Sequence, residues 1–406
     1  MKKYGLLGEK LGHSFSPVIH KLLCGYDYSL FEVAPEKLGD FLRRHDFDGI
    51  NVTIPYKKAV LPYCAELSPE AAEIGSVNTI IRRVDGTLYG DNTDCAGFYE
   101  LAKKMRIPVS GKALILGNGG VAPAIRSALK SLGADEIITV SRRGENNYVN
   151  LNRHYDASLI VNASPVGMYP DNGSSLIPLE SFLSCRGVID VVYNPLRTKL
   201  VLDAEALGIR SCGGLYMLVA QAARSAELFT GEHIPPERID EVYEAVLASV
   251  RNVVLIGMPG CGKTTAACAL GEMTGRRVFD CDSEIVRRTG MSIPEYFERF
   301  GVESFRELES AVLYELCSLS GVIIATGGGV VMRERNYSAM HQNGLIVFLQ
   351  REISELPTDG RPISQATDIK KLADMRLPIY NKWCDKKVCG NSPEDTAQKI
   401  KEMLFH

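Results

Sequence analysis

A glycine-rich loop after residue 250 combines the residue types that hold phosphate. An apolar stretch, Val253 to Ile256, precedes it, and Gly257, Gly262, Lys263 and Thr264 have the spacing G-x-x-x-x-G-K-[ST]. Backbone N–H groups of such a loop bind phosphate oxygens, the lysine reaches the outer phosphates and the hydroxyl ligates magnesium. The sequence therefore predicts a nucleotide site made of Gly257, Met258, Pro259, Gly260, Cys261, Gly262, Lys263, Thr264 and Thr265.

Two carboxylates follow the loop. Asp280 and Asp282 lie at the end of a predicted strand, Val278 to Asp282, and one residue separates them, so their side chains should point the same way. Beside magnesium and a nucleotide, one carboxylate can act in the outer shell of the metal while the other holds an attacking hydroxyl. Without the phosphate loop upstream, an exposed acidic turn would be the simpler interpretation.

Arginines and a run of glycines complete this half of the chain. Arg306 has Glu309 one helical turn away to orient it, and a buried strand that begins at Gly321 ends in three glycines, where a ligand can touch backbone. Guanidinium groups near a phosphate loop suit a substrate carboxylate or a transferring phosphate. The pattern predicts phosphoryl transfer to a small carboxylated alcohol. The candidate residues are Asp282, Arg306, Gly327, Gly328, Gly329, Arg361 and Arg376.

Small polar side chains and one lysine recur at predicted strand ends within the first hundred residues. They are Ser14, Ser16, Asn51, Thr53, Lys57, Asn78 and Asp94. Such a set suits a small polyhydroxylated molecule, because each buried hydroxyl needs a partner, and a lysine beside an aspartate can move a proton. The simpler interpretation is a surface ion pair together with turn and cap chemistry, in which Ser16 caps a helix with Pro17 in its first turn.

A second nucleotide signal lies between residues 112 and 143. The apolar strand Lys112 to Leu116 runs into Gly117-Asn118-Gly119-Gly120-Val121-Ala122, which fits G-x-G-x-x-[GA] at the start of a helix. After the next strand stand Ser141, Arg142 and Arg143, where an NAD site would place an acidic residue for the ribose hydroxyls. Two guanidiniums suit the extra phosphate of NADP, so the sequence favours NADP over NAD.

The composition is that of a globular protein with two or three domains. The chain has 406 residues, of which 45% are hydrophobic, and a net charge of −3 argues against a general nucleic-acid or anionic-membrane partner. The eleven cysteines contain no C-x-x-C pair and the seven histidines no H-x-x-x-H pair, so neither a disulfide framework nor a zinc site is predicted. We find no signal peptide or membrane span and expect a cytoplasmic protein. The sequence allows a homo-oligomer and does not specify the number of subunits.

The motif order over residues 1 to about 249 resembles that of shikimate dehydrogenases: Ser-x-Ser-Pro, Asn-Val-Thr-x-Pro-x-Lys, Asp-Asn-Thr-Asp, Asn-Ala-Ser-Pro-x-Gly-Met and Gly-x-x-Met-Leu-x-x-Gln. The resemblance implies that NADPH reduces 3-dehydroshikimate to shikimate, with Lys57 and Asp94 as the acid/base pair that protonates the carbonyl oxygen. It implies that Met217 lies near the nicotinamide. The implied substrate contacts are Ser14, Ser16, Asn51, Thr53, Lys57, Asn78, Asp94, Tyr193 and Gln221.

Residues 251 to 406 resemble shikimate kinases through Asp-x-Asp, Phe-Arg-x-x-Glu, Gly-Gly-Gly, Arg-Pro and Arg-x-Pro-x-Tyr. The resemblance implies that ATP and magnesium convert shikimate to shikimate 3-phosphate, with Asp282 orienting or deprotonating the 3-hydroxyl. Arg306 and Arg376 would hold the carboxylate beside Gly327, Gly328 and Gly329. Lys263 and Arg361 would stabilise the transferring phosphoryl, and Thr264 with Asp280, the latter through water, would serve magnesium.

Three features depart from the family patterns. Cys95 stands where the dehydrogenases usually have glycine. The interval from Arg143 to Leu159 is shorter than usual, so we expect a wall of the adenosine pocket that differs from the family's. The stretch from Leu349 to Arg361 is also short and lacks the basic residues often found ahead of the kinase lid, so we expect weakened or rearranged closure over ATP.

We therefore expect an α/β chain and a bifunctional enzyme. Residues 1–97, completed by 215–249, would form an α/β substrate domain and residues 98–214 a Rossmann-like NADP domain. Residues 251–406 would form a P-loop α/β domain of the nucleoside-monophosphate-kinase type. The alternatives are a first half that acts on quinate with NAD, or one half that serves only as a regulatory binding module.

Overall fold

The computed structural model describes residues 2–12, 14–44, 46–356 and 369–405. It divides into two compact units, Met1–Val246 and Leu247–His406. The first unit contains two β-sheets and the second contains one. None of the described helices is long and apolar enough to cross a membrane.

The first sheet is mixed and has the strand order β2-β1-β3-β5-β6-β4. Strand β1 pairs in parallel with β2 and β3, whereas β5 is antiparallel to both β3 and β6. The pairing of β5 with β6 is antiparallel because a tight turn at Gly86 joins them directly. The strands are β1 (Tyr4–Gly8), β2 (Tyr28–Glu32), β3 (Gly49–Val52), β4 (Glu66–Leu67), β5 (Thr79–Arg82) and β6 (Leu88–Asp91). The helices are α1 (Ser16–Cys24), α2 (Leu38–Arg44), α3 (Pro69–Ile74) and α4 (Asp94–Lys104).

The expected cap of α1 is wrong in detail. Ser16 is the first residue of the helix, and Phe15 occupies the cap position without a side-chain hydrogen bond. Pro17 lies in the first turn as expected, because its missing N–H would have no partner there in any case. The Ser16 hydroxyl is therefore not committed to capping α1.

The second sheet is wholly parallel, with the order β11-β10-β9-β7-β8. Its strands are β7 (Lys112–Leu116), β8 (Glu136–Val140), β9 (Leu159–Asn162), β10 (Gly187–Asp190) and β11 (Arg210–Cys212). The accompanying helices are α5 (Ala122–Ser131), α6 (Lys199–Ala206), α7 (Leu215–Thr230) and α8 (Pro236–Val250), and α7 packs against α4.

The apolar strands of this sheet are explained by burial on both faces. Ala113 and Ile115 of β7 belong to one hydrophobic cluster, whereas Leu114 and Leu116 belong to another on the opposite face. A strand covered on both sides cannot alternate polar and apolar residues, so it reads as a continuous apolar run. Between β8 and β9 the chain forms only a short 3-10 helix, Leu151–His154, and no α-helix.

The third sheet is also parallel, with the order β13-β14-β12-β15-β16. Its strands are β12 (Asn252–Ile256), β13 (Val278–Asp280), β14 (Ile323–Ala325), β15 (Gly344–Leu349) and β16 (Lys386–Val388). The helices are α9 (Lys263–Thr274), α10 (Cys281–Thr289), α11 (Ile293–Cys317), α12 (Arg335–Asn343), α13 (Ile369–Trp383) and α14 (Pro393–Phe405). Gly301 interrupts α11 with a φ of 80°, a value that only glycine adopts readily.

A buried histidine in the first unit makes its stability depend on pH. His20 of α1 is 1% exposed, its ring stacks on Tyr28 with centroids 4.1 Å apart, and Nδ1 lies 2.6 Å from the Tyr26 hydroxyl. Burial lowers the pKa of His20 to about 3. An unfolded histidine binds a proton near pH 6.5, so between these two pH values the unfolded state holds more protons and stability falls as the pH falls.

We therefore expect His20→Gln to weaken the acid sensitivity of the first unit. The His20 contribution to that unit's free energy of unfolding should fall by about 2 kcal/mol between pH 7 and pH 5 in the wild type and be absent in the variant. Hydrogen exchange of peptides from α1 and β2, corrected for intrinsic rates, measures this. The single tryptophan, Trp383, lies in the second unit, so its fluorescence during unfolding is the control. Equal pH slopes in both proteins at α1 and β2 would contradict the prediction.

Candidate active sites

A cavity of about 230 Å³ lies in the first unit, where residues from both of its sheets meet α7. The structure brings together around it all nine residues expected to bind a hydroxylated substrate, and Met217 as well. Those residues are Ser14, Ser16, Asn51, Thr53, Lys57, Asn78, Asp94, Tyr193 and Gln221. Val121, Val191 and Leu218 add apolar surface beside them.

Lys57 and Asp94 form a close ion pair in this cavity. Lys57 Nζ lies 2.6 Å from Asp94 Oδ2, and the two side chains are only 19% and 9% exposed. Asn78 Nδ2 donates to Asp94 Oδ1 at 2.9 Å, so both carboxylate oxygens are held. Asp94 is also the first residue of α4, where the helix dipole favours a negative charge. An ammonium fixed in this way can donate a proton to a ligand oxygen in the cavity.

The glycine loop after β7 has the conformation that its sequence predicts. Gly117 has a φ of 108°, and a side chain there would press against the backbone of Ala163. Gly120 has open space where a side chain would be, so a ligand can approach the backbone next to the start of α5. Because β7 and β8 are parallel neighbours with Leu116 opposite Val140, this loop and the arginines after β8 share one edge of the sheet.

The loop after β8 carries Ser141, Arg142 and Arg143. Ser141 is buried, whereas both arginine side chains are exposed. A turn rich in asparagine follows, in which the Ser141 N–H donates to the Asn146 carbonyl at 3.0 Å and Asn146 Oδ1 lies 2.9 Å from Nε2 of His154. This turn takes the place of a helix at the shortened interval noted in the sequence.

Asp190 is a buried carboxylate that sequence reasoning missed. It is 0% exposed at the end of β10, accepts hydrogen bonds from Asn162 Nδ2, Thr198 Oγ1 and the Val192 N–H, and has a pKa that burial raises to about 6. These bonds join the loop after β9 to the loop after β10, which carries Tyr193 into the cavity. The signal in the sequence was a charged residue at the end of an otherwise apolar strand.

A larger cavity of about 520 Å³ lies in the second unit, at the phosphate loop. The loop turns through positive φ values at Gly257, Gly260 and Gly262. Lys263 Nζ donates to the carbonyl oxygens of Gly257 and Met258 at 3.0 Å each, which holds the ammonium over the loop. This arrangement fits a phosphate cradle.

The two carboxylates after the loop lie on different elements, contrary to the expectation of one strand. Strand β13 ends at Asp280, whose Oδ1 caps α10 by accepting from the Ser283 N–H at 2.9 Å, and Asp282 lies in the first turn of that helix. The cap ends the strand two residues earlier than the apolar pattern suggested. Thr264 Oγ1 donates to Asp280 Oδ2 at 2.7 Å, so the two groups expected to serve magnesium are adjacent, and their hard oxygens suit that ion.

Asp282 belongs to a cluster of buried charged groups. Burial, together with the charges of Asp280 and Glu309, raises the pKa of Asp282 to about 6. Glu309 is 1% exposed, and its Oε2 accepts from Arg306 Nη1 at 2.5 Å. A carboxylate with a pKa near neutrality can accept a proton from an alcohol more readily than an ordinary aspartate can.

Arg376 of α13 is a second buried arginine of this cluster. Its side chain is buried, with the residue 4% exposed, and its Nε has no hydrogen-bond partner among the described residues. Arg306 is also buried, and Glu309 is the carboxylate paired with it. A buried guanidinium with an unused donor is costly unless an anion fills the site, so the cavity suits a ligand carboxylate.

Comparisons with known proteins agree with this geometry. A shikimate dehydrogenase substrate binding domain matches residues 6–80, and a shikimate 5'-dehydrogenase C-terminal domain matches residues 214–247. The shikimate dehydrogenase (NADP(+)) of Clostridium perfringens strain 13 is 34% identical in an alignment of 266 positions that covers 60% of this chain and 98% of the relative. The chain belongs to the shikimate dehydrogenase family.

Two solved structures resemble the dehydrogenase part. A chorismate mutase/shikimate 5-dehydrogenase fusion protein from Clostridium acetobutylicum is 37% identical with a TM-score of 0.58, and the match covers 61% of this chain and 97% of that one. The shikimate 5-dehydrogenase from Thermus thermophilus, in complex with NADP(H) and shikimate, is 34% identical with a TM-score of 0.56. The match covers 60% of this chain and 99% of that one. The shikimate kinase family matches residues 259–405. The chain thus carries a shikimate kinase domain after its shikimate dehydrogenase part, and the expected α/β fold class is confirmed.

The kinase unit explains why three glycines stand after β14. A side chain on Gly329 would occupy the space of the Arg306 guanidinium, and one on Gly327 would lie 2.5 Å from Glu309 Oε1 and 3.0 Å from Asp282 Oδ1. A side chain on Gly328 would lie 2.7 Å from the ring of Pro259, and the Gly328 carbonyl accepts from the Tyr380 hydroxyl. The glycines therefore allow charged groups and the phosphate loop to pack against bare backbone.

We expect Gly329→Ala to raise the KM of the kinase for shikimate at least thirtyfold. The new methyl group displaces the Arg306 guanidinium, which loses its geometry towards both Glu309 and the ligand. Initial rates at saturating ATP measure this effect. Gly290→Ala is the control for lost stability alone, because its φ of 68° disfavours alanine while a side chain there meets nothing within 4 Å. A KM within threefold of the wild type would contradict the prediction.

Arg351 is a basic residue at the phosphate loop that sequence reasoning did not propose. It lines the large cavity and also a second cavity of about 120 Å³, which Cys261 and Thr265 line as well. Sequence reasoning noted only that no basic residue stands between Arg351 and Arg361. Arg361, expected to stabilise the transferring phosphoryl, lies outside the described residues. The place of Arg351 beside the loop is the position that a phosphate-binding arginine would need.

Proposed function

We propose that the dehydrogenase unit reduces 3-dehydroshikimate to shikimate with NADPH and that the kinase unit phosphorylates shikimate to shikimate 3-phosphate with ATP and magnesium. The observation that carries the proposal is that both cavities suit one kind of ligand. The first offers fixed hydroxyl and amide partners around a proton donor, and the second offers two buried arginines and a carboxylate beside a phosphate cradle.

In the reduction, Lys57 protonates the ketone oxygen and Asp94 keeps the ammonium in place through the 2.6 Å ion pair. Asn78 holds the second oxygen of Asp94, so the pair keeps one orientation. The cofactor supplies the hydride, and its nicotinamide would lie on the side of the cavity where Met217 and Tyr193 are found. The remaining polar lining residues pair with the hydroxyl and carboxylate groups of the substrate.

In the phosphorylation, Asp282 orients the 3-hydroxyl and can take its proton, while Arg306 and Arg376 bind the carboxylate of shikimate. Lys263 and Arg361 neutralise charge on the transferring phosphoryl. Magnesium, held by Thr264 directly and by Asp280 through water, would lower the charge repulsion between the phosphates. The raised pKa of Asp282 and the unused Nε of Arg376 support these two roles.

The exposed side chains of Arg142 and Arg143 support NADPH as the cofactor, since they follow β8 at the edge shared with the glycine loop. A first unit that acts on quinate with NAD is the alternative. Residues 1–97 with 215–249, and residues 98–214, are proposed as the substrate and cofactor domains of the dehydrogenase, with residues 251–406 as the kinase domain.

A coupled assay tests the whole proposal. The purified chain is given 3-dehydroshikimate, NADPH, ATP and magnesium, and shikimate and shikimate 3-phosphate are scored together. Separate reactions with quinate and with NAD or NADP test the alternative. Absence of both NADPH oxidation with 3-dehydroshikimate and shikimate-dependent ADP release would refute the proposal, and a preference for quinate with NAD would replace its first half.

A further inference from the structure

Three buried hydroxyl groups form a cluster beneath the dehydrogenase cavity, and none of them lines it. Thr79 comes from β5, Thr93 precedes α4 and Ser225 lies on α7, and the three residues are 0%, 1% and 0% exposed. Ser225 Oγ lies 3.0 Å from Thr79 Oγ1 and 3.1 Å from Thr93 Oγ1. The cluster therefore joins three of the elements that carry lining residues.

Each hydroxyl also contacts an amide side chain that does line the cavity. Asn51 Nδ2 donates to Ser225 Oγ at 2.7 Å and to Thr79 Oγ1 at 3.1 Å. Thr79 Oγ1 donates to Asn78 Oδ1 at 3.0 Å, and Thr93 Oγ1 donates to Gln221 Oε1 at 3.3 Å. The three amides of the substrate site thus share one buried set of partners.

Each hydroxyl has one hydrogen and several acceptors nearby, so the orientation of the amides is set by backbone groups, while the hydroxyls pack and bond between them. Ser225 Oγ donates to its own helix at the Gln221 carbonyl, 3.0 Å away, so it is free to accept from Asn51. Asn78 Oδ1 also accepts from the Thr93 N–H at 2.8 Å, which turns Asn78 Nδ2 towards Asp94. Gln221 Oε1 faces Thr93, and its Nε2 donates to the Leu218 carbonyl at 2.9 Å with a second N–H to spare. Reversing Asn78 would set its Nδ2 against the Thr93 N–H. Reversing Gln221 or Asn51 would set a side-chain oxygen against the carbonyl of Leu218 or Asn78. Each reversal would be costly in a buried place.

We propose that the Thr79–Thr93–Ser225 cluster is a positioning element that holds the side chains of Asn51, Asn78 and Gln221 in place for the substrate. The cluster sets substrate affinity without touching the substrate. The inference rests on the proposed dehydrogenase function and names residues beyond those expected to bind the substrate. A site whose donors and acceptors are fixed in advance recognises a pattern of hydroxyls more strongly than one whose amides can rotate.

Ser225→Ala tests the inference with the smallest possible change. The variant removes the 2.7 Å acceptor of Asn51 and the link between the two threonines, while leaving every lining residue in place. In shikimate oxidation with NADP⁺ we expect the KM for shikimate to rise about tenfold, which is the effect of losing one hydrogen bond to a positioned group. The kcat should stay within threefold, the KM for NADP⁺ within twofold, and kinase rates unchanged.

Ser158→Ala is the matched control. Ser158 is a buried serine of the same unit, and its hydroxyl donates to the Ser110 carbonyl at 2.8 Å without contact to the cavity. A comparable loss of stability without a rise in KM is expected. Thr93→Val and Thr93→Ser form a second pair of variants, for use if Ser225→Ala folds poorly. Thr93→Val lacks the hydroxyl and should raise the KM for shikimate. Thr93→Ser keeps the hydroxyl and should have a KM near that of the wild type.

The activity of the wild type distinguishes a failure of the proposed function from a failure of the inference. A wild type that does not oxidise shikimate would overturn the proposed function and the inference with it. A wild type that does so, with a KM unchanged in Ser225→Ala and in Thr93→Val, would overturn the inference alone. Equal increases of KM in Ser225→Ala and Ser158→Ala would also overturn it, because the effect would then be a general loosening of the unit.

Discussion

Replacement of Lys57 by methionine is expected to lower the dehydrogenase kcat about 1,000-fold in the direction of ketone reduction. Methionine fills similar space but has no proton to give, and general acid catalysis by a positioned group contributes 10²–10⁴-fold. The 2.6 Å contact to Asp94 and the low exposure of both side chains show that Lys57 is held in one place, so water cannot readily substitute for it. The KM should change far less than kcat, since one polar contact among many is lost.

NADPH oxidation at saturating substrate measures this effect, and shikimate-dependent ADP release in the same preparation measures the kinase. The neighbouring Lys58 is exposed, so Lys58→Met is the matched control. If kcat falls less than tenfold, Lys57 is not the proton donor. Loss of kinase activity as well would point to a folding defect of the variant.

Asp282→Asn is expected to lower kcat/KM of the kinase for shikimate about 1,000-fold and to change its dependence on pH. Burial and the charges of Asp280 and Glu309 raise the pKa of Asp282 to about 6. The carboxylate must be ionised to accept the hydroxyl proton, so wild-type kcat/KM should fall about tenfold per unit as the pH drops below 6. An asparagine does not titrate, and the variant should lack this decline.

A pH series of kcat/KM at saturating ATP and magnesium tests the assignment. Asp374→Asn, which changes an exposed aspartate of α13 in the same unit, is the matched control and should keep both the rate and the acid limb. A variant with wild-type rates, or an acid limb that persists in Asp282→Asn, would assign the ionisation to another group.

The fold was predictable where burial dictates the sequence. Strands such as β7 and β12 read as apolar runs because both faces are covered, and the glycine loops after them could be placed because those strands end there. The end of β13 was wrong by two residues, since Asp280 serves as a helix cap and no periodicity reveals such a choice. The assignment of Ser16 as the cap of α1 was also wrong. Serine is a preferred helix cap, yet Phe15 occupies the cap position and Ser16 begins the helix.

Sequence patterns could bring the candidate site residues together, but they could not reveal the partners of those residues. Motif spacing predicted Lys57, Asp94 and Asn51 for one site, and the structure places all three around one cavity. Ser225 meets Asn51 across 174 positions of sequence, and a single serine in a helix carries no signal of such a contact. The only hint was its spacing of four residues after Gln221, which places both on one face of α7.

The short connection between β8 and β9 has a consequence for the rate at which the enzyme releases its cofactor. Only the short 3-10 helix Leu151–His154 lies where a doubly wound sheet commonly has a longer helix, so the adenosine end of a bound NADP would have fewer walls to hold it. Among related complexes weaker binding is mostly faster dissociation. We therefore expect short residence of NADP⁺ after each hydride transfer, so that the rate follows the ratio of reduced to oxidised cofactor in the surrounding solution.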